Sequence, residues 1–256
     1  MKFPEVERVI YANNPLVEVV CQCMFPRILA IDEGIPATFQ QKLGASYPFV
    51  ETREVVSFSM NVPNELTPAK RIQYLFSTED RRFTIALGSE FIAISTADYK
   101  QWSEFVQHVE AAFTALADSY AVPIFTRIGL RYIDVVSREK LGLGDYLWKD
   151  LFRRSALGLF GEDEIKGEAL LESTSLTALS LDDVGKAQIR TTFSRPSEGS
   201  DLTFTIDSDF FEEHPVKGTD DAIGILSSFN KEAGRAFRWF ISDQLHDALG
   251  PVVPRQ

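Results

Sequence analysis

Between Tyr99 and Tyr120 the apolar residues Tyr99, Trp102, Val106, Val109, Phe113, Leu116 and Tyr120 fall alternately three and four positions apart, drawing one unbroken stripe down a helix. What precedes that stripe alternates instead. Over 16–25, Val17, Val19, Cys21, Cys23 and Phe25 share one side and Glu18 and Gln22 the other, the period of a half-buried strand. A short helix over 37–43 follows Pro36, and strands are expected over 53–62, 71–77, 82–87 and 91–95. A meander followed by a one-sided helix is satisfied by an antiparallel sheet with the helix laid on its apolar face. Ser95 and Asp98 give that helix a capping-box-like start.

Pro123 leads into a strand over 124–135, with Ile124, Ile128, Leu130 and Tyr132 on its apolar side. A helix over 145–157 and strands over 164–178, 186–194 and 202–210 come next. The closing helix opens at Thr219 with Asp220 and Asp221, carries Leu226, Phe229, Ala233, Phe237, Phe240 and Leu245 on one side, and stops at Gly250-Pro251. It is about 45 Å long at 1.5 Å per residue. The two halves echo each other: Thr84-Ile85 through Ser89-Glu90-Phe91 precedes a helix with Phe105 and Phe113, and Thr203 through Ser208-Asp209-Phe210 precedes one with Phe229 and Phe237. The expected class is therefore α+β, in two similar halves (1–138 and 139–256) that share an extended sheet, with an internal duplication as one origin of the echo.

Among 256 residues, 26 Lys+Arg stand against 37 Asp+Glu, so a surface that binds polyanions everywhere is excluded while a local basic patch is not. No run approaches the 18 or so apolar residues of a membrane-spanning helix, and Lys2, Glu5, Glu7 and Arg8 occupy the place of a signal peptide's apolar core. A cytoplasmic location without membrane association is the expectation. Cys21 and Cys23 read as core residues, and His108, His214 and His246 lack metal-ligand spacing. No phosphate-binding glycine loop, HExxH, GxSxG or GxGxxG occurs, so the sequence indicates no catalytic residue, no metal and no cofactor. Asp182-Asp183 suits a hairpin turn, Asp220-Asp221 a helix start, and Asp207-Ser208-Asp209 has the form of a DxD metal pair.

One excess stands out. The polar side of the first-half strands would carry Glu18, Gln22, Arg53, Ser57, Ser59, Arg71, Gln73, Arg82, Arg127 and Arg131, five arginines against one carboxylate. Either this side is solvated and internally paired, with Glu18 bridging to Arg127 or Arg131, or it binds an anion through guanidinium forks, with Gly129 opening backbone between two of them. Nucleic acid fits less well than a small anion or a protein partner, because Tyr74 and Phe76 fall on the opposite side. Arg235, Arg238 and Trp239 on the closing helix form a second candidate surface, for docking a protein partner; a homo-oligomer is left open.

Asn13-Asn14-Pro15-Leu16-Val17-Glu18-Val19, Tyr99-Lys100-Gln101-Trp102, Arg127-Ile128-Gly129-Leu130-Arg131-Tyr132-Ile133-Asp134 and Phe240-Ile241-Ser242 together resemble a sporadically distributed prokaryotic family of roughly 250-residue proteins with no assigned activity. The resemblance spans nearly the whole chain and implies no catalytic residue. The family's patchy distribution implies mobile or phage-defence loci. The expected role is a non-enzymatic binding or regulatory component anchored on Arg127 and Arg131 and oriented by Glu18. Two rivals stand beside it: a metal-dependent phosphoester or nucleotide enzyme using Glu18, Asp134 or the Asp207/Asp209 pair, and a structural subunit of a larger assembly.

Overall fold

The computed structural model describes residues 1–62, 65–162, 172–182, 185–195, 197 and 200–253, with the backbone alone over 56–62 and 65–70. The first half comprises β1 (Ile10–Tyr11), β2 (Leu16–Met24), α1 (Leu29–Glu33), α2 (Ala37–Leu43), β3 (Phe49–Val62), β4 (Glu65–Ser77), β5 (Phe83–Gly88), β6 (Phe91–Thr96) and α3 (Trp102–Ser119). The second comprises β7 (Arg127–Ser137), α4 (Trp148–Leu151), α5 (Arg154–Leu157), β8 (Ser173–Leu181), β9 (Gly185–Ser194), β10 (Thr203–Glu212), α6 (Thr219–Phe240), α7 (Asp243–Ala248) and β11 (Pro251–Val252).

The expected α+β class is observed. Nine strands form one antiparallel sheet in the order β3-β4-β5-β6-β2-β7-β10-β9-β8, which crosses the expected boundary at residue 138. Each half repeats one plan: a first strand, short helices, a meander whose last strand returns to pair with the first, then a long helix. The sequence echo does not superpose on that plan, because Ser89 and Glu90 sit in the turn before β6 whereas Ser208 and Asp209 lie inside β10.

Alternation decides which side is dry. Val19, Cys21 and Cys23 on β2, Ile128 and Leu130 on β7, and Phe204, Ile206 and Phe210 on β10 are all buried on the helix side, where α3 and α6 cover them. The cysteines are thus core residues, both free. The stripe on α3 is buried at Phe105, Val109, Ala112, Phe113 and Leu116, so Phe105 rather than Val106 points inward. Neither Ser95 nor Asp98 caps it: Gln101 is the N-cap, and Asp98 is drawn into ion pairs with Arg82 and Lys100.

The long closing helix is two helices. Ser242 leaves helical geometry and its Oγ accepts a hydrogen bond from Leu245 N–H at 3.2 Å, starting α7. Ile241 bridges backbone to Phe152 instead of continuing α6. Asp220 and Asp221 lie in the first turn of α6, where they complement its dipole. Of the expected strand over 164–178, residues 164–171 lie outside the described residues, as do Asp183 of the expected turn and the side chains of Ser57 and Ser59.

Phe204 anchors the second half, with ring centroids 4.5 Å from both Phe152 and Phe193 and no exposed surface. Truncating it leaves a cavity that Phe152, Phe193 and Trp148, its centroid 6.2 Å away, cannot close, so Phe204→Ala should cost about 3–5 kcal/mol, read as a lowered urea midpoint at unchanged m-value.

Candidate functional site

The open side of the sheet holds Arg127 and Arg131, and its charge balance differs from the expectation. Arg131 makes a two-pronged pair with Asp207, Nε and Nη2 at 2.6 and 2.7 Å, and Arg127 Nη2 reaches Asp209 at 2.6 Å. Both carboxylates come from β10, directly beside β7, and their odd parity matches that of the arginines. The hydrogen bonds it donates to Asp207 raise the Arg131 pKa, and burial raises that of Asp209 against the opposing pull of Arg127. Arg127 folds back across Gly129, where a Cβ would lie 2.5 Å from its Nη1, and over the Phe211 ring at 4.7 Å. The space beside Gly129 is therefore filled by the chain itself. Glu18 faces Ile133 across the β2–β7 ladder and acts on Arg131 only through its field, so it does not orient that arginine by contact.

The other expected anchors lie apart. Arg71 stands on β4 and Arg53 on β3, four and five strand steps from β7, about 19 and 24 Å away at about 4.8 Å per step. Arg71 pairs with Glu90, and Arg53 lies 3.7 Å from Glu51. Arg82 is not on the open side: it precedes β5 and reaches Glu104 of α3 at 2.9 Å and Asp98 at 2.9 Å. The five arginines thus meet carboxylates, Arg53 on its own strand and the others from elsewhere in the fold, and the excess read from one half of the chain disappears. In the open groove around Arg127 and Arg131, about 530 Å³, Arg190 of β9 is exposed with no carboxylate within ion-pair distance among the described residues. Asp207 and Asp209 are spent on arginines, and among the described residues no cluster of three His, Cys, Asp or Glu is placed to hold a metal.

The docking surface on α6 is likewise occupied by the chain itself. Arg235 pairs with Glu232 at 2.5 Å and with Glu5 at 3.1 Å; Arg238 pairs with Asp243. Trp239 packs tilted against Phe3, centroids 5.8 Å apart, and carries the Arg153 guanidinium on its ring at 5.1 Å. The segment over residues 3–9 lies along α6 and takes the contacts expected of a partner.

Where that segment crosses α6, a cavity of about 240 Å³ opens between helix and sheet. Its floor is built by a bulge at Val17, between the pairs Leu16↔Asp134 and Glu18↔Ile133, which turns Leu16 inward and Glu18 outward. Asn14 fixes the approach, accepting from Leu16 N–H and donating to the Tyr99 carbonyl, each at 3.1 Å. Asn14, Tyr99, Tyr132 and Asp134, from three separate parts of the chain, are thereby placed around one space.

A polar relay lines it. In the amide orientation that suits both neighbours, Asn230 Nδ2 donates to Tyr132 Oη at 3.0 Å, and Oδ1 accepts from Arg8 Nη1 and Nη2 at 2.9 and 3.2 Å. The Tyr132 and Tyr99 rings meet edge to face with centroids 5.9 Å apart, and burial pushes the Tyr99 hydroxyl up to about 12. Asp134 is 5% exposed, faces this cavity, and has no hydrogen bond or ion pair among the described residues. Burial alone pushes its carboxyl up to about 8, so it is mostly protonated at neutral pH. Tyr11, pushed up to about 12 chiefly by burial, lies within the field of Asp134 and bonds His246 Nδ1 at 2.8 Å. At the mouth, Arg8 meets only the neutral Asn230 amide and Lys231 is exposed, neither with a carboxylate partner among the described residues.

Scans of the chain against protein-family models and against curated proteins find no match. The site is therefore read from its own geometry. The sequence did carry one signal for it: Asp134 falls on the Ile128/Leu130 side of its strand, and a carboxylate on a buried side marks a site or a pair. The segment over 3–9, with neither period nor motif, carried none.

Two outcomes follow. The Asp134 carboxyl has a higher pKa folded than unfolded, so the native state holds more protons between about pH 4 and 8 and stability falls as pH rises through that window. Asp134→Asn removes the slope and should gain on the order of 2 kcal/mol at pH 7.5, measured by urea melts at several pH values. On the open side, Arg131→Ala should lose about 1 kcal/mol, and a double-mutant cycle with Asp207→Ala should recover part of it.

Proposed function

We propose that this chain is a non-enzymatic binding protein whose ligand, a small molecule with an anionic group, sits in the cavity between α6 and the sheet. The observation that carries the reading is Asp134, a buried carboxyl without a partner among the described residues, facing a cavity. Buried polar groups are ordinarily satisfied, and a ligand supplies what the chain does not. Arg8 and Lys231 at the mouth favour an anionic group, while Val6, Val9, Leu16 and Phe237 favour an apolar body. At about 240 Å³ the cavity suits a molecule smaller than a typical drug. Arg127 and Arg131 serve this reading as structural pairs, not anchors.

With the family resemblance, the reading makes the protein a cytoplasmic regulatory component of a mobile or phage-defence locus. The repeated plan of the two halves supports an origin in duplication. No helix among the described residues is long and apolar enough to cross a membrane.

Gly234 lines the cavity on the exposed side of α6, and a Cβ there meets nothing within 4 Å. Gly234→Phe should therefore block the mouth without harming the helix. Native mass spectrometry of protein purified gently from its own cells should show a small-molecule adduct on the wild type that is absent from Gly234→Phe. A wild type that is empty and gains no melting temperature from a panel of organic anions overturns the reading.

A further inference from the structure

The walls of the cavity differ in firmness. The sheet and α6 are held by regular backbone hydrogen bonds, whereas the remaining side is the chain over residues 4–9, from which Val6, Glu7, Arg8 and Val9 line the space. Among the described residues, the backbone of 3–9 makes no hydrogen bond to any other part of the chain. Its side chains add little: Glu5 meets Arg235 at 3.1 Å but is 89% exposed, and Arg8 reaches only the Asn230 amide. The two ends are held differently. At one, the Phe3 ring is 2% exposed, its centroid 5.8 Å from that of Trp239 and 6.4 Å from that of Phe240. At the other, β1 pairs with β11, and Ala12 and Asn13 N–H donate to the Gly250 and Leu249 carbonyls at 2.9 Å each. The floor is nearly sealed, with Tyr132, Asp134, Ser208 and Asn230 only 5–7% exposed. A ligand that fills the space reaches this floor when a wall moves.

Resting on the cavity reading above, we infer that residues 3–9 are a strap hinged at β1 and latched by Phe3, and that its opening admits and releases the ligand. Lifting it exposes one buried ring and breaks one surface ion pair and the bonds from Arg8 to Asn230. Moving α6 instead would uncover Leu226, Phe229, Ala233 and Ala236 together. A segment with so few contacts opens locally while the rest of the molecule stays folded. Opening also parts the cations at the mouth, since Arg8 travels with the strap and Lys231 stays on α6. The strap thus brings one anion-binding group to the cavity as it closes.

The test needs no ligand. In the full chain, Ser208→Cys places a thiol on the cavity floor, while the native Cys21 and Cys23, fully buried and outside the cavity, report wider unfolding. All three are labelled with methyl methanethiosulfonate, a small thiol reagent, and each rate is read by peptide mass spectrometry over a series of low urea concentrations. The floor thiol should label faster than the two native ones and with little dependence on urea, as in a local opening, while Cys21 and Cys23 follow the m-value of global unfolding. Adding Phe3→Ala should speed labelling of the floor by about tenfold or more, and Phe3→Leu by less. Phe39→Ala truncates a core ring on α2 that packs against Phe76 of β4; it should speed Cys21 and Cys23 and leave the floor rate in the absence of urea as it was. Floor labelling that follows Cys21 and Cys23 through the urea series, or that Phe3→Ala leaves unchanged, overturns the strap. The native mass spectra that test the cavity reading do not depend on these rates, so either can fail alone.

Discussion

The antiparallel ladder between β2 and β7 is the interaction on which the molecule depends. It joins residues more than a hundred positions apart and makes one sheet of two meanders. The single extra residue at Val17 is part of that ladder, and its effect is local but decisive. One step of register sends Leu16 to the dry side opposite Asp134 and leaves Glu18 on the wet side, so the same irregularity shapes the cavity floor and keeps a second carboxylate out of it.

From that ladder outward the two faces of the sheet solve opposite problems. On the helix side, large rings such as Phe204, Phe210 and Phe229 fill the interior, and the buried polar residues Asp134, Ser208 and Asn230 gather where α6 crosses β7 and β10. On the open side, charges stand in crossed pairs whose partners lie diagonally on adjacent strands, Arg127 with Asp209 and Arg131 with Asp207. Such partly exposed pairs contribute modestly to stability. They do fix which strand lies beside which, because a slip of one residue would turn them all to the wrong face.

How much of this was legible depended on range. The strands of the first half, the long helices, the cysteine pair and the inward side of Asp134 are all set by local alternation, and sequence alone finds them. The partners of the arginines are not local: Arg131 meets Asp207 only because β10 returns to pair with β7, and nothing near Arg131 announces it. The end of α6 was legible in principle, since Ser242-Asp243 is a helix start, but an apolar stripe running on to Leu245 masks it. Residues 3–9 have no period because they are extended chain laid on a helix, so neither the occupied face of Arg235 and Trp239 nor the contribution of Arg8 to the cavity was open to a reading by pattern.

The ladder also carries a consequence for synthesis. β2 emerges early, finds β6 as one neighbour, and has a bare edge on its other side until β7 has been made. At about 5–20 residues per second, the stretch from residue 24 to residue 137 takes about 6–23 seconds. Until residue 96 has been made both edges of β2 are bare, and from then until β7 arrives its inner edge can still pair with any other strand, a nascent neighbour on the same message included. The strand at the middle of the finished protein is thus, for the first part of its life, an unprotected edge.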